Sequence, residues 1–397
     1  MPKPALLYLC HRLPIAPFKG DRVRTRNQIE YLSTQFDVYL GCFAEEQSID
    51  KNALRELQGF CKQVYVEHHK KFGALLRCLW GLLKGEPLTC AYYKSAGMQA
   101  WVQRVIANQH PGNCWLSATA MAPYVLNAED VHLFTDFIDV DSDKWRQYAE
   151  RSHFLMKWLY RREWQALKRL ELVTTERSKR VYFVSTSEAD FFKAMLPKSL
   201  QDKVGVLRNG VNSAYFSPDY YPCNSEERID VVFTGAMNYR PNIDGVLWFL
   251  DHAWPLVREA VPTATFYVVG LAPDKSLLAR HGLLGVVVTG KVDDVRPYLG
   301  KARIAIAPIR LARGVQNKVL EAMAMSKDIV CTHLAMEGID ASCKGIWIED
   351  EPKGMAERIV GLLTGPIGPN YCREWVLKHH QWKEMLKPME SLINERH

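Results

Sequence analysis

Short apolar or aromatic runs alternate with helix-patterned stretches from one end of this chain to the other, and that alternation constrains the fold more than any single motif. The runs Ala5–Cys10, Val38–Cys42, Gln63–Val66, Cys114–Ser117, His132–Phe134 and Tyr182–Ser185 form a first set. Val204–Leu207, Val231–Phe233, Thr265–Val269, Val286–Thr289, Ile304–Ala307 and Ile329–Cys331 follow. Most are apolar throughout, the pattern of parallel strands covered on both faces. Over 397 residues the alternation predicts a doubly wound parallel α/β architecture built twice. Turn residues at Asn209–Asp219 and a polar, proline-bearing linker at Tyr220–Glu227 divide the chain. The expected organisation is 1–218, 219–375 and a terminal segment 376–397, with helical patterning from Tyr371 to Ile393.

Composition removes several classes. The chain is 48% apolar and 24% charged, an ordinary globular balance. No run approaches the roughly 18 continuous apolar residues of a membrane span; Phe72–Leu83 comes nearest and Arg77 interrupts it. A cytoplasmic protein without a secretory leader is expected. None of the ten cysteines forms a C-x-x-C pair and no H-E-x-x-H occurs, so no metal site is expected. The net charge of +7 resides in one place: Lys144–Arg180 holds eleven Lys or Arg against four Glu. Its apolar residues, among them Trp145, Phe154, Trp158, Trp164 and Leu167, recur at helical spacing. Such a stretch suits either an anionic membrane surface or a core helix with a solvated basic face. No nucleic-acid-binding signature is present.

Three segments carry candidate chemistry. In Ala307–Met325 a buried strand leads through a basic loop, turning at Gly314, into a helix beginning near Gln316. Free amides and the positive dipole end of such a helix seat phosphate. Val319, Leu320 and Met323 point inward, and Lys318 and Glu321 share another face as either ligand groups or a surface i,i+3 ion pair. A bound diphosphate would account for a lysine placed against the dipole, and Glu321 would accept the two hydroxyls of a ribose. In His11–Arg26 a loop with Gly20 follows the first strand, and Arg22, Arg24 and Arg26 add positive charge. In Thr135–Trp145 four aspartates follow a strand, of which Asp141, with Ser142, is a candidate helix cap. G-x-G-x-x-G, Walker A and G-x-S-x-G patterns are all missing.

In their order, these residues resemble retaining glycosyltransferases of the GT-B fold, family 4, and are most similar to sugar transferases of PEP-CTERM/exosortase exopolysaccharide loci. The resemblance runs through Gly20-Asp21, Asp139–Trp145, Asn209-Gly-Val211, Val232–Gly245, Val268-Val-Gly270, Thr289–Val295 and Gly314–Ala324. It implies two Rossmann-like domains facing a cleft, a terminal helix at 376–397 crossing back, and transfer of a sugar from a UDP- or GDP-linked donor, with retention and without a metal or cofactor. The acceptor would be a glycan or a lipid-linked acceptor; the basic stretch 144–180, rather than the resemblance, carries the expectation of a peripheral place on the inner face of the membrane. The alternatives are a nucleotide-sugar epimerase or a catalytically silent scaffold subunit.

The expected donor-binding groups are Gly20 and Asp21 from the first domain and Gly235, Asn238, Val292, Arg313, Gly314, Gln316, Asn317 and Glu321 from the second; of these the resemblance implies Gly20, Gly235, the loop holding Val292 and Glu321, while Arg313, with Arg240 and Lys318, is a candidate substitute for missing cations. Lys318, Arg240 and Asp136 are the expected catalytic groups. Three departures stand out: Arg313 occupies a position commonly glutamate, Ala236 and Asn242 replace the usual diphosphate-binding Arg and Lys, and the histidine expected after the strand at His132–Phe134 is missing, with Asp136 nearest.

Overall fold

The computed structural model describes residues 2–15, 20–44, 49–68, 71–150, 152–220, 229–311, 315–339 and 342–390. Two compact units are formed, one by Met1–Arg208 with the stretch from Leu386 onward, the other by Asn209–Met385. The two units meet in the chain between Arg208 and Asn209, at the start of the turn-rich segment.

In the first unit the strands are β1 (Ala5–Cys10), β2 (Asp37–Ala44), β3 (Cys61–His68), β4 (Asn113–Ser117), β5 (His132–Ile138), β6 (Ser178–Phe183) and β7 (Val204–Val206). They pair in the order β3-β2-β1-β4-β5-β6-β7, every ladder parallel. The second unit holds β8 (Ile229–Thr234), β9 (Phe266–Val269), β10 (Val286–Gly290), β11 (Ala302–Ala307), β12 (Asp328–Cys331) and β13 (Ile346–Ile348). Their order is β10-β9-β8-β11-β12-β13, again wholly parallel. The expectation of two doubly wound parallel α/β domains therefore holds. Central strands such as β1 and β11 are buried almost end to end, because helices cover both faces.

Each order reverses once near its middle, between β1 and β4 in the first sheet and between β8 and β11 in the second. At such a switch the loops leaving the carboxyl ends diverge and open a crevice for ligands.

Local pattern and structure part company in three places. The His11–Arg26 loop is shorter than expected, since a helix already runs from Gly20 to Ser33. Arg22, Arg24 and Arg26 are buried on it rather than presented as loop cations. The terminal helical stretch is broken into Cys372–His379, Trp382–Met385 and a 3-10 turn at Lys387–Glu390. The break lies where Gln381 bridges to Val211 and the His380 ring meets the Asn209 carbonyl at 3.1 Å. Within 144–180, the long helix Phe154–Arg177 buries Glu163, Leu167 and Glu171 and exposes Phe154, Leu155 and Trp158 at its start. Among the described residues no helix is long and apolar enough to cross a membrane.

Candidate functional site

At the switch point of the second sheet, β8 ends at Thr234 and the chain turns at Gly235. Strand β11 ends at Ala307, and helix Asn317–Ala324 follows. Burial of Val319, Leu320, Ala322 and Met323 fixes that helix to the core and leaves Lys318 and Glu321 on its half-buried face, the division expected from their spacing. Gln316, the residue before the helix, makes no side-chain cap.

Lys318 is held by neutral groups. Its Nζ donates to Asn242 Oδ1 at 2.8 Å and to Gln316 Oε1 at 3.2 Å, and lies 5.1 Å from the centre of the Phe233 ring. Asn242 is oriented in turn by donating its Nδ2 to the Ala236 carbonyl at 2.9 Å. Gly235 makes this arrangement fit: a Cβ there would lie 2.7 Å from Asn242 Nδ2 and 3.4 Å from Lys318 Cε. Gly245 brings the helix Arg240–Trp248 against the end of β11, where a Cβ would meet the Pro308 carbonyl oxygen at 2.3 Å.

Burial pushes the Lys318 ammonium down to about 8, with Glu321 pulling the other way. Burial likewise pushes Glu321 up to about 7 against the effect of Lys318. Both groups therefore pay for their desolvation with a reduced hold on charge, a state that an entering anion and hydroxyl donors would relieve.

The structure brings Gly235, Gln316, Asn317, Lys318 and Glu321 together around one helix start. Asn238 and Arg240 are exposed at the beginning of the neighbouring helix, and Val292 is half-buried after β10. Arg313 and Gly314 lie outside the described residues. Sequence reasoning missed several supports because their partners are distant in the chain. Asn209 Nδ2 donates to Asn317 Oδ1 at 3.0 Å. Arg296 stacks on Tyr215 at 3.6 Å from the ring centre and pairs with Asp294 at 2.7 Å. Burial raises the Tyr215 phenol, and Asp294 and Glu321 both add to that rise. Arg373 donates to the carbonyls of Phe216 and Ala324, tying the 212–217 turn to the far end of the same helix.

In the first unit, Gly20 opens its helix and Asp21 accepts from Arg12 at 2.9 Å, with His11 at 3.6 Å. Burial alone would raise the Asp21 carboxyl, but His11 and Arg12 outweigh it and hold the group below its usual range. Asp136 is fully buried. Its carboxylate takes both arms of Arg24 at 2.6 and 2.8 Å and a third bond from Gln28 at 2.6 Å. That geometry makes Asp136 the buried counter-ion of Arg24. Where Asp141 begins its helix, the amides of Val140 and Ser142 donate to the buried carboxylates of Glu188 and Glu171. Among the described residues no three His, Cys, Asp or Glu side chains converge as a metal-binding group.

Residues 228–365 match the family model described as Glycosyl transferases group 1. No curated protein sequence matches the chain. Solved structures similar to it over nearly its full length include HepE of Anabaena in complex with UDP, at 12% identity and a TM-score of 0.64, covering 98% of this chain and 99% of that one. WaaG, a glycosyltransferase involved in lipopolysaccharide biosynthesis, is 14% identical with a TM-score of 0.66, covering 97% and 99%. Sucrose-phosphate synthase of Thermosynechococcus elongatus is 13% identical with a TM-score of 0.64, covering 99% of each chain. At these identities the likeness is one of fold.

Proposed function

We propose that the protein is a glycosyltransferase that moves a sugar from a nucleoside diphosphate donor to a hydroxyl of a glycan or lipid-linked acceptor, retaining the anomeric configuration. The observation that carries this reading is the Lys318 ammonium, held by two amide oxygens at the start of a helix on the β8/β11 switch point. A diphosphate leaving group gains negative charge as the glycosidic bond breaks, and a positioned cation beside unpaired helix amides stabilises that charge without reorganising. Arg240 and Arg313 are the further cations proposed to meet the phosphates. Glu321, one turn beyond Lys318, is proposed to accept the ribose hydroxyls.

The match of 228–365 to the glycosyl transferase group supports the donor assignment. Uridine nucleotides in complexes with the similarly folded HepE support a UDP-linked donor. The role of WaaG in lipopolysaccharide synthesis fits a surface polysaccharide acceptor, and the resemblance in sequence favours an exopolysaccharide locus. The proposed reaction needs no metal, because the phosphate charge is met by lysine, arginine and amide groups.

The deciding experiment screens UDP-, GDP- and ADP-sugars by thermal shift and then measures turnover with acceptor extracts. One donor class should stabilise the wild-type protein, and Lys318→Ala should lower kcat by about 10²–10³-fold, the usual effect of removing one preorganised charge-stabilising group. Failure of every donor to bind, or full activity in Lys318→Ala, would overturn the assignment. Product from donor alone would indicate an epimerase instead.

A further inference from the structure

The helix Lys71–Lys84 faces the wrong way for a helix of a water-soluble surface. Its inward side is small or polar. Ala74 and Gly81 are buried, a Cβ on Gly81 would stand 2.7 Å from Ala91 Cβ, and Arg77 donates to the carbonyls of Ala91 and Tyr92. Its outward side carries Leu75, Leu76, Leu79, Trp80 and Leu83, with Trp80 65% and Leu83 79% exposed. Core-facing amphipathic helices do the reverse.

A second apolar group adjoins it. Arg162 donates to the carbonyls of Gly81 and Leu82, docking the helix Phe154–Arg177 on the first. The opening of that second helix exposes Phe154, at 93%, together with Leu155 and Trp158. Charge is distributed to match. Residues 71–84 contain three Lys or Arg and no Asp or Glu, and residues 154–162 contain another three and again no acid, although Arg77 and Arg162 turn inward onto the carbonyls just named. Lys84 and Arg161 are exposed, while Glu163 is buried on the amides of Leu88 and Thr89, and the half-buried Glu86 is paired with Lys94 at 3.0 Å.

We propose that this face is a docking surface for an anionic phospholipid bilayer, with the helix Lys71–Lys84 lying in the plane of the interface. Exposed leucine and tryptophan rimmed by lysine and arginine is the composition that enters the headgroup region. A helix of 14 residues spans about 21 Å, short of the roughly 30 Å hydrocarbon core, so it lies on the bilayer rather than crossing it. A second copy of this chain would bring cations against cations, which favours a negatively charged partner. The surface is smaller than the whole basic stretch 144–180, whose later turns are partly core, and includes a helix outside it. It does not depend on the proposed reaction.

The test is flotation of the full-length protein with vesicles of phosphatidylcholine, alone or mixed with phosphatidylglycerol. The variants are Leu79→Ser with Trp80→Ser and, independently, Phe154→Ser with Leu155→Ser; all four side chains are exposed, so the fold is not at stake. The wild type should float with the anionic vesicles and detach as salt is raised to ~1 M, where screening shortens to about 3 Å. Each double variant should partition about tenfold less or weaker still, with an unchanged melting temperature. The proposal fails if the wild type does not float at low salt, or if both variants float equally well. It also fails if the substitutions abolish self-association in a protein that does not float, which would make the face a contact between copies.

Discussion

Donor affinity should follow a bell-shaped pH profile centred near pH 7.5, because the two groups facing the proposed ligand titrate on either side of it. Glu321 must be ionised to accept ribose hydroxyls, and its pKa is raised to about 7, so affinity is lost on the acid side. Lys318 must be protonated to meet the diphosphate, and its pKa is lowered to about 8, so affinity is lost on the alkaline side. Treated as independent sites, the fraction holding both charges peaks at about 0.6 and drops to about 0.1 at about pH 6 and pH 9. That is a weakening of about sixfold at each end, or roughly 1 kcal/mol.

The assay is isothermal calorimetry with an intact nucleotide-sugar. Both phosphates of such a donor are esterified, whereas a free nucleoside diphosphate would add its own titration near about pH 6. Glu321→Gln should remove the acid limb while weakening affinity throughout. Lys318→Arg should remove the alkaline limb, since a guanidinium stays charged across the range. A flat wild-type profile, or an acid limb that persists in Glu321→Gln, would refute the assignment of these two groups.

Two further outcomes are expected. Gly235→Ala places a methyl group 2.7 Å from Asn242 Nδ2, so it should displace Asn242 and weaken donor binding about tenfold or more by calorimetry; unchanged affinity would show that Asn242 does not position Lys318. Asp136→Asn takes the bidentate carboxylate away from the buried Arg24 guanidinium and should cost about 3–5 kcal/mol in chemical denaturation, much of it recovered in Arg24→Met with Asp136→Leu; a neutral single substitution would mean the pair is not desolvated as the structure has it.

How much of this was legible in the sequence depended on how far apart the interacting residues lie. Buried central strands such as β1 and β11 stood out because a strand covered on both faces is apolar at every position. Strand β13 did not, being three residues long and half exposed at a sheet edge. The helical pattern after Tyr371 gave no sign of its break, since the bridge from Gln381 to Val211 joins segments about 170 residues apart, beyond the reach of any local periodicity. At the site, Lys318 and Glu321 could be paired from their spacing alone. Asn242, 76 residues from Lys318, could be noticed only as a departure from the expected lysine and not as the group that orients another one.

Arg24 and Lys318 show why a cation near a helix start is an ambiguous sign. Both sit on helices that follow a strand flanking a switch point, and both are removed from water to different degrees. Arg24 meets a carboxylate through a bidentate pair, so its charge is cancelled where it stands and nothing remains to attract a ligand. Lys318 donates to two amide oxygens, which satisfy its hydrogen bonds and fix its direction without neutralising it. Burial disfavours its ionised form, and an anion of matching geometry would favour it again. A half-buried cation held by neutral acceptors therefore suits the role proposed for Lys318, meeting the charge of a diphosphate, whereas one held by a carboxylate is part of the frame.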